Sequence, residues 1–224
     1  MADSLDIIQY YLVDFFPFIQ QQEIGLFRGA INKEIDQSEF LAHNHLPDGV
    51  RYSYPLVQYG TDGIFTQIRA IGQGVRLFEK LKDVENLNLR LHQRKVHLQL
   101  VRVQKQQFTL QPIIDFKTYF MHSWLPFNQE NVRRFRDLRS ADEKILLLER
   151  ILVGNILSMA KGCGLEIRGH LEVLIEEIFE QQKTSYKQTT FDAFSLKFKA
   201  NIVLPDRLGL GKGVSNGFGT IHTL

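Results

Sequence analysis

Asn86-Leu-Asn-Leu-Arg90-Leu-His92-Gln-Arg94-Lys-Val96-His97-Leu-Gln-Leu100 is the stretch on which the fold turns. Leucine or valine stands at 87, 89, 91, 96, 98 and 100, with polar side chains between. Alternation with a period of two belongs to strands, whose successive side chains point to opposite faces. One wet and one dry face imply antiparallel strands covered on one side. Upstream, residues 5–13 read as a strand. The segment from Pro17 to about Ile35 reads as a helix on the spacing of Phe18, Ile24, Phe27 and Ile31. Residues 43–49 form a loop punctuated by Pro and Asp-Gly. Residues 52–59 and 63–71 read as strands joined at Asp62-Gly63, and 74–84 as a short helix with Val75, Phe78 and Leu81 on one face. The order is β-α-β-β-α-β, that of a ferredoxin-like unit.

Downstream, residues 119–124 read as a strand and 129–162 as a helix. Leu138, Ile145, Leu148, Leu152, Ile156 and Met159 line its buried side. Strands follow at 171–181, 190–204 and 220–224. This half is a second, degenerate ferredoxin-like unit without a distinct second helix. The expected architecture is therefore α+β, with tandem ferredoxin-like domains over 1–115 and 116–224.

The chain has 224 residues, enough for two modest domains, and a net charge of +2. Its one cysteine, Cys163, excludes an internal disulfide and a cysteine-rich zinc site, and suggests a reducing cytoplasm. No apolar run is long enough to span a bilayer. The first residues lack the basic and apolar regions of a signal peptide. No acidic residue occurs from Asn86 to Ile114, a window holding Arg90, Arg94, Lys95, Arg102 and Lys105. Arg133, Arg134, Arg136 and Arg139 form a second basic cluster, and Lys197, Lys199, Arg207 and Lys212 a third. Together they suggest one positive surface; separate solvated faces are the plainer alternative.

Five of the eleven residues in Gly209-Leu-Gly211-Lys212-Gly213-Val-Ser215-Asn216-Gly217-Phe218-Gly219 are glycine. Such density serves positive φ angles or close approach of a ligand to the backbone. Lys212, Ser215 and Asn216 add a cation, a hydroxyl and an amide, a set suited to phosphate. A Gly-rich hairpin is the competing reading.

His43-Asn-His45-Leu-Pro-Asp48-Gly-Val-Arg51-Tyr52-Ser-Tyr54 concentrates two histidines, an arginine and two tyrosines just beyond the first helix. Imidazole exchanges a proton near neutral pH. Lys33, near the end of that helix, can reach the same place. His-x-His also recurs in zinc sites, but Asp48 is the one nearby candidate for a third ligand. A literal His-Asn-His tripeptide does not make an HNH nuclease, whose residues are spread over a strand-helix unit. Metal-free acid–base chemistry and an ordinary polar loop remain.

The segment His43-Asn-His45-Leu with Arg51-Tyr-Ser-Tyr-Pro-Leu-Val-Gln-Tyr59, preceded by Gly29-Ala-Ile, resembles the early region of CRISPR-associated repeat-RNA endoribonucleases, the Cas-six family of the RAMP superfamily. Leu152-Val-Gly-Asn-Ile-Leu-Ser-Met-Ala-Lys-Gly162 resembles the helix before the family's final sheet. Phe198-Lys-Ala-Asn-Ile-Val-Leu-Pro205 followed by the glycine run resembles its C-terminal signature. The glycine motif is common to the superfamily; the His-Asn-His with Tyr-Ser-Tyr-Pro narrows the likeness to the branch seen in type I-B-like systems.

The resemblance implies two ferredoxin-like domains and binding of the CRISPR repeat, as precursor and as mature RNA. It also implies one cut per repeat, without metal or cofactor. The ribose 2′-OH attacks the adjacent phosphate, giving 2′,3′-cyclic phosphate and 5′-OH ends. On this likeness His45 is first choice for acid–base work, with His43 as partner. Tyr52 orients the reacting groups or donates a proton, with Tyr54 as its rival, and Lys33 stabilises the phosphate. Gly209, Gly211, Lys212, Gly213, Ser215, Asn216 and Gly217 would hold the RNA backbone. Arg90, Arg94, Arg102 and Lys105 would line a groove, and Arg133, Arg134, Arg136 and Arg139 would meet a repeat stem. Other Cas effector subunits and a second copy of the chain are further partners. Two rival readings stand beside the enzyme: a non-catalytic RNA-binding subunit of an effector complex, and a structural protein without RNA.

Overall fold

The computed structural model of the chain describes residues 7–34, 45–46, 49–50, 54–76, 85–186 and 188–224. These divide into two units. One runs to Thr109 and includes Ser215–Gly217; the other comprises Leu110–Val214 and Phe218–Leu224.

The first unit contains β1 (Ile7–Phe16), α1 (Ile24–Glu34), the two-residue strands β2 (His45–Leu46) and β3 (Gly49–Val50), β4 (Val57–Thr61), β5 (Thr66–Ile71), β6 (Asn86–Leu91) and β7 (Arg94–Thr109). Its main sheet has the order β4-β5-β1-β7-β6, and all four pairings are antiparallel. Taking β1, β4, β5 and β7 as the four strands of a ferredoxin-like unit gives the expected order, with β6 as an added edge strand. The alternation read from the sequence is the burial pattern: Leu87, Leu89, Leu91, Val96 and Leu98 are buried, with exposed residues between. They share a core with Ile24, Phe27 and Ile31 of α1, all fully buried. Each such side chain contributes roughly 1.5–3 kcal/mol relative to exposure.

Several boundaries differ from expectation. α1 starts at Ile24, not Pro17. The Ile19 amide donates to Thr66 Oγ1 at 2.8 Å, which keeps this stretch extended. A 3-10 turn over Gln21–Glu23 then leads into the helix. Phe18 is therefore exposed and Ile19 takes the core position. β5 starts at Thr66 because the Asp62 carboxylate accepts the amides of Ile64 and Phe65, at 2.9 and 2.7 Å, and extends the turn. A 3-10 turn over Gly72–Val75 stands at the start of the expected helix at 74–84, and Phe78 and Leu81 lie outside the described residues. The first unit closes at Thr109 instead of residue 115. Thr109 still pairs with Ile7 of β1, whereas Pro112 already pairs with Ile202 in the other sheet.

The second unit contains β8 (Pro112–Trp124), α2 (Gln129–Asp137), α3 (Ala141–Gly162), β9 (Val173–Tyr186), β10 (Thr189–Ile202) and β11 (Thr220–Thr223). Its sheet order, β11-β8-β10-β9, is again that of an antiparallel ferredoxin-like unit. Between β10 and β11, where the second helix of the pattern belongs, the chain carries the glycine run and one 3-10 turn over Val214–Asn216.

The single helix expected over 129–162 is two helices. Leu138 is extended. Ser140 Oγ accepts the Glu143 amide at 3.0 Å, and the Glu143 carboxylate accepts the Ser140 amide, a capping box that starts α3 afresh. Leu148, Leu152, Ile156 and Met159 are buried as expected, joined by Leu147 and Ala160. Leu138 and Ile145 are half-buried. Among the described residues, no helix is long and apolar enough to cross a membrane.

Candidate nucleic-acid interface

The histidine segment is placed in part. His43 and Tyr52 lie outside the described residues. His45 opens β2, opposite Val50 of β3. Lys33 is exposed in the last turn of α1, whose register is fixed by the buried Phe27 and Ile31. Tyr54 is buried, and its hydroxyl accepts a hydrogen bond from Gln58 Nε2 at 2.6 Å. That commits Tyr54, the rival of Tyr52 for the orienting role, to the first unit's interior.

The glycine run folds tightly on itself. Two of its amides are used within the run, Leu210 to Gly219 O and Phe218 to Gly213 O, and two tie it to the end of β8, Lys212 to Leu125 O and Gly219 to Ser123 O. Two glycines show why the motif is needed. Gly219 adopts φ +64°, and a Cβ there would stand 2.0 Å from Leu210 O. Gly211 adopts φ +93°, and a Cβ would stand 2.6 Å from Trp124 Nε1 and 3.0 Å from Asn155 Oδ1. The glycines thus serve the packing of the loop itself. Gly209 is buried in an isolated bridge to Thr220. Ser215, Asn216 and Gly217 belong to the first unit. There Ser215 Oγ accepts from Arg28 Nη1 at 3.0 Å, and the Asn216 carbonyl accepts from Gln21 Nε2 at 2.8 Å. Lys212 points elsewhere: its Nζ lies 4.7 Å from the centroid of the Phe191 ring. Partial burial holds its pKa below that of an ordinary lysine.

The arginines separate into two kinds. Arg94 is held by Glu23, at 2.7 and 2.9 Å to its two carboxylate oxygens. Arg102 Nε donates at 2.8 Å to Asp14, a fully buried carboxylate that also accepts from Gln67. Both arginines are tied to carboxylates. Arg90 is exposed on β6. On α2, Arg133 and Arg134 border a shallow concavity with Glu130 and Asp137.

Arg134 borders a second concavity, of about 480 Å³, in the second unit. It brings Arg134, Arg150 and Lys212 together with Asn128, Asn131 and Asn155 over an apolar floor that includes Phe127, Leu147 and Ile151, and its lining contains no acid. Sequence reasoning singled out Arg134 and Lys212 but not their convergence. It missed Arg150 and Asn155. The readable signal for Asn155 was an amide flanked by the core positions Leu152 and Ile156. A recess lined with cations and amides suits a polyanion.

A family model described as the Cas6b N-terminal domain matches residues 7–109, and one described as the Cas6b C-terminal domain matches residues 108–224. An uncharacterized protein of Methanocaldococcus jannaschii is 33% identical over 144 residues, spanning 64% of this chain and 95% of that protein. A crystal structure of Cas6b matches with a TM-score of 0.85 at 24% identity, covering 98% of this chain and 100% of its own. A crystal structure of a CRISPR RNA processing endoribonuclease Cas6b matches with a TM-score of 0.74 at 22% identity, with the same coverages. A type IV Cas6 crRNA endonuclease matches at 0.56 and 14% identity, covering 97% of this chain and 99% of its own. At these identities the structural likenesses establish the fold.

Proposed function

This chain belongs to the Cas6b family, and we propose that it is the endoribonuclease that matures CRISPR RNA, cutting the precursor within each repeat without a metal ion. The observation that carries the reading is the match of both domains to one family of RNA-processing proteins. A histidine pair suited to proton transfer, His43 and His45, stands just beyond α1.

The chemistry follows from what a phosphodiester needs. A general base removes the proton of the ribose 2′-OH, and the oxygen attacks the adjacent phosphorus. An acid protonates the leaving 5′-oxygen. His45 and His43 supply the two proton-transfer roles, since imidazole holds and releases a proton near neutral pH. Lys33 offsets the charge that builds on the non-bridging oxygens, and Tyr52 orients the reacting groups. The products are a 2′,3′-cyclic phosphate and a 5′-OH. The RNA backbone is held by Arg134, Arg150 and Lys212, with Arg90 and Arg133 weaker contributors. The RNA is the repeat of the cell's own array, processed in the cytoplasm.

The test uses labelled repeat RNA from the neighbouring array, incubated in excess EDTA. Wild-type protein is expected to cut once per repeat. His45→Ala is expected to cut at least 100-fold more slowly, the usual scale for losing a general acid or base, while still shifting RNA on a gel. Wild-type protein that binds but never cuts would make this a non-catalytic RNA-binding subunit. Full activity in His45→Ala would place the site elsewhere.

A further inference from the structure

The concavity bordered by α2, α3 and Lys212 has polar groups whose orientation can be worked out. Trp124 Nε1–H donates to Asn155 Oδ1 at 2.9 Å. An indole N–H only donates, so this bond fixes the amide: the oxygen faces Trp124 and the Nδ2 hydrogens face away from it. Gly211 packs against the same pair, within a distance no Cβ could tolerate, which keeps that amide in place. Asn128 is fixed in the same sense. Its Oδ1 accepts the Asn131 amide at 2.7 Å as the cap of α2, leaving its NH₂ to donate. Arg134, Arg150 and Lys212 have donors only. Of the two acids next in sequence to lining residues, Glu149 is turned away, its carboxylate accepting the Ile175 amide at 2.8 Å, and Glu130 borders the other concavity on α2. Every polar group whose direction is fixed around this recess is therefore a donor.

From this geometry we infer that the recess is a nucleotide-recognition subsite. It takes one nucleotide of the repeat, the phosphate on Arg134 and Arg150, joined by Lys212 once its ammonium leaves the Phe191 ring, and an acceptor-bearing base edge against Asn155. Its about 480 Å³ suits one nucleotide. Half-buried Ile151 offers an apolar surface to the face of the base, while Phe127 is buried against Phe135 and Phe194. Asn155 discriminates because a carbonyl or ring-nitrogen edge satisfies its NH₂, whereas an amino edge meets donor with donor. Guanine (through O6 and N7) and uracil (through O4) present an edge of acceptors alone, whereas adenine and cytosine set an amino donor beside their acceptors and fit less well. Asn155 is thus a specificity residue, and Arg150 a phosphate contact of the same subsite. The inference rests on the RNA-binding reading proposed above.

The test measures binding of the repeat RNA carrying a 2′-deoxy block at the cut, with each nucleotide in turn replaced by an abasic site. In wild-type protein one position is expected to cost about tenfold or more in affinity, equivalent to one well-made polar contact. Asn155→Asp keeps the acceptor for Trp124 and replaces the donor with an acceptor. It is expected to erase the penalty at that position alone and leave the others intact. Arg150→Gln is expected to weaken every RNA by a similar factor, without changing which position matters. Thermal melting of both variants separates a folding defect from a binding defect. Penalties that stay the same at all positions in a folded Asn155→Asp protein would overturn the inference. Absence of repeat binding by wild-type protein would instead overturn the RNA-processing reading on which it rests.

Discussion

Arg102 on β7 and Arg134 on α2 both come from basic stretches of sequence and end in different circumstances. Arg102 is anchored to Asp14, a carboxylate with no exposure at all. Arg134 makes no such buried pair: it borders a recess without an acid in its lining as well as the concavity that holds Glu130 and Asp137. The first arrangement compensates a buried charge; the second leaves cations available to a polyanion. Density of lysine and arginine along a chain therefore does not distinguish arginines that stabilise a fold from those that can meet RNA. What distinguishes them is the carboxylate each one finds.

The sharpest way to break this contrast is to remove the recess cations. Arg134→Ala with Arg150→Ala is expected to weaken repeat RNA binding by about 100-fold, since hydrogen bonds to charged groups contribute about 1.5–3 kcal/mol each. Thermal stability should be nearly unchanged, because both side chains are exposed. Anisotropy titration and a melting curve check the two halves of that statement. Arg102→Ala should do the reverse. It strips a partner from buried Asp14 and is expected to cost about 2 kcal/mol of stability, less than the 3–5 kcal/mol of a fully buried pair because Arg102 is half exposed. RNA affinity should change by less than about twofold, the scatter expected of a side chain that holds no phosphate.

A smaller effect lies in the salt dependence. Each lost phosphate contact lowers the slope of log affinity against log salt by roughly 0.7 for single-stranded RNA. Arg134→Ala should lower it by about that amount, and Arg94→Ala, already held by Glu23, should leave it unchanged. The smallest effect concerns pH. Burial lowers the Lys212 pKa from 10.5, so Lys212 loses its charge at a lower pH than an ordinary lysine. A bound phosphate favours the charged form, so binding takes up a proton and affinity falls as pH rises through the lowered pKa. The stability effect has the opposite sign. Between the folded and unfolded pKa the unfolded chain binds more proton, so stability rises with pH there. Lys212→Arg should flatten the alkaline fall in affinity.

The fold was legible where local pattern and tertiary packing agree. Leucines at every second position between Asn86 and Leu91 can bury only as a strand, and they do. The break before α3 was also written in the sequence, as Ser140-x-x-Glu143. Hydrophobic periodicity ran across it because Leu138 and Ile145 suit one continuous helix. The start of α1 was not legible, since it depends on Thr66, 47 residues from Ile19. The interface was legible only as a list of cations. The carboxylates that hold Arg94 and Arg102 lie 71 and 88 residues away in the chain. The convergence of Arg134, Arg150 and Lys212 likewise comes from packing. The glycine run was recognisable at once. Its reason, though, is the close contact of Gly211 with Trp124 and Asn155 and of Gly219 with Leu210.

The central claim is cleavage by the RNA's own 2′-OH, and one substrate tests it most directly. Repeat RNA with a single 2′-deoxy nucleotide just upstream of the cut, incubated with wild-type protein in EDTA, should bind normally and remain whole. The unmodified RNA should yield fragments ending in 2′,3′-cyclic phosphate and 5′-OH. Cutting of the deoxy substrate at the same position would contradict the account.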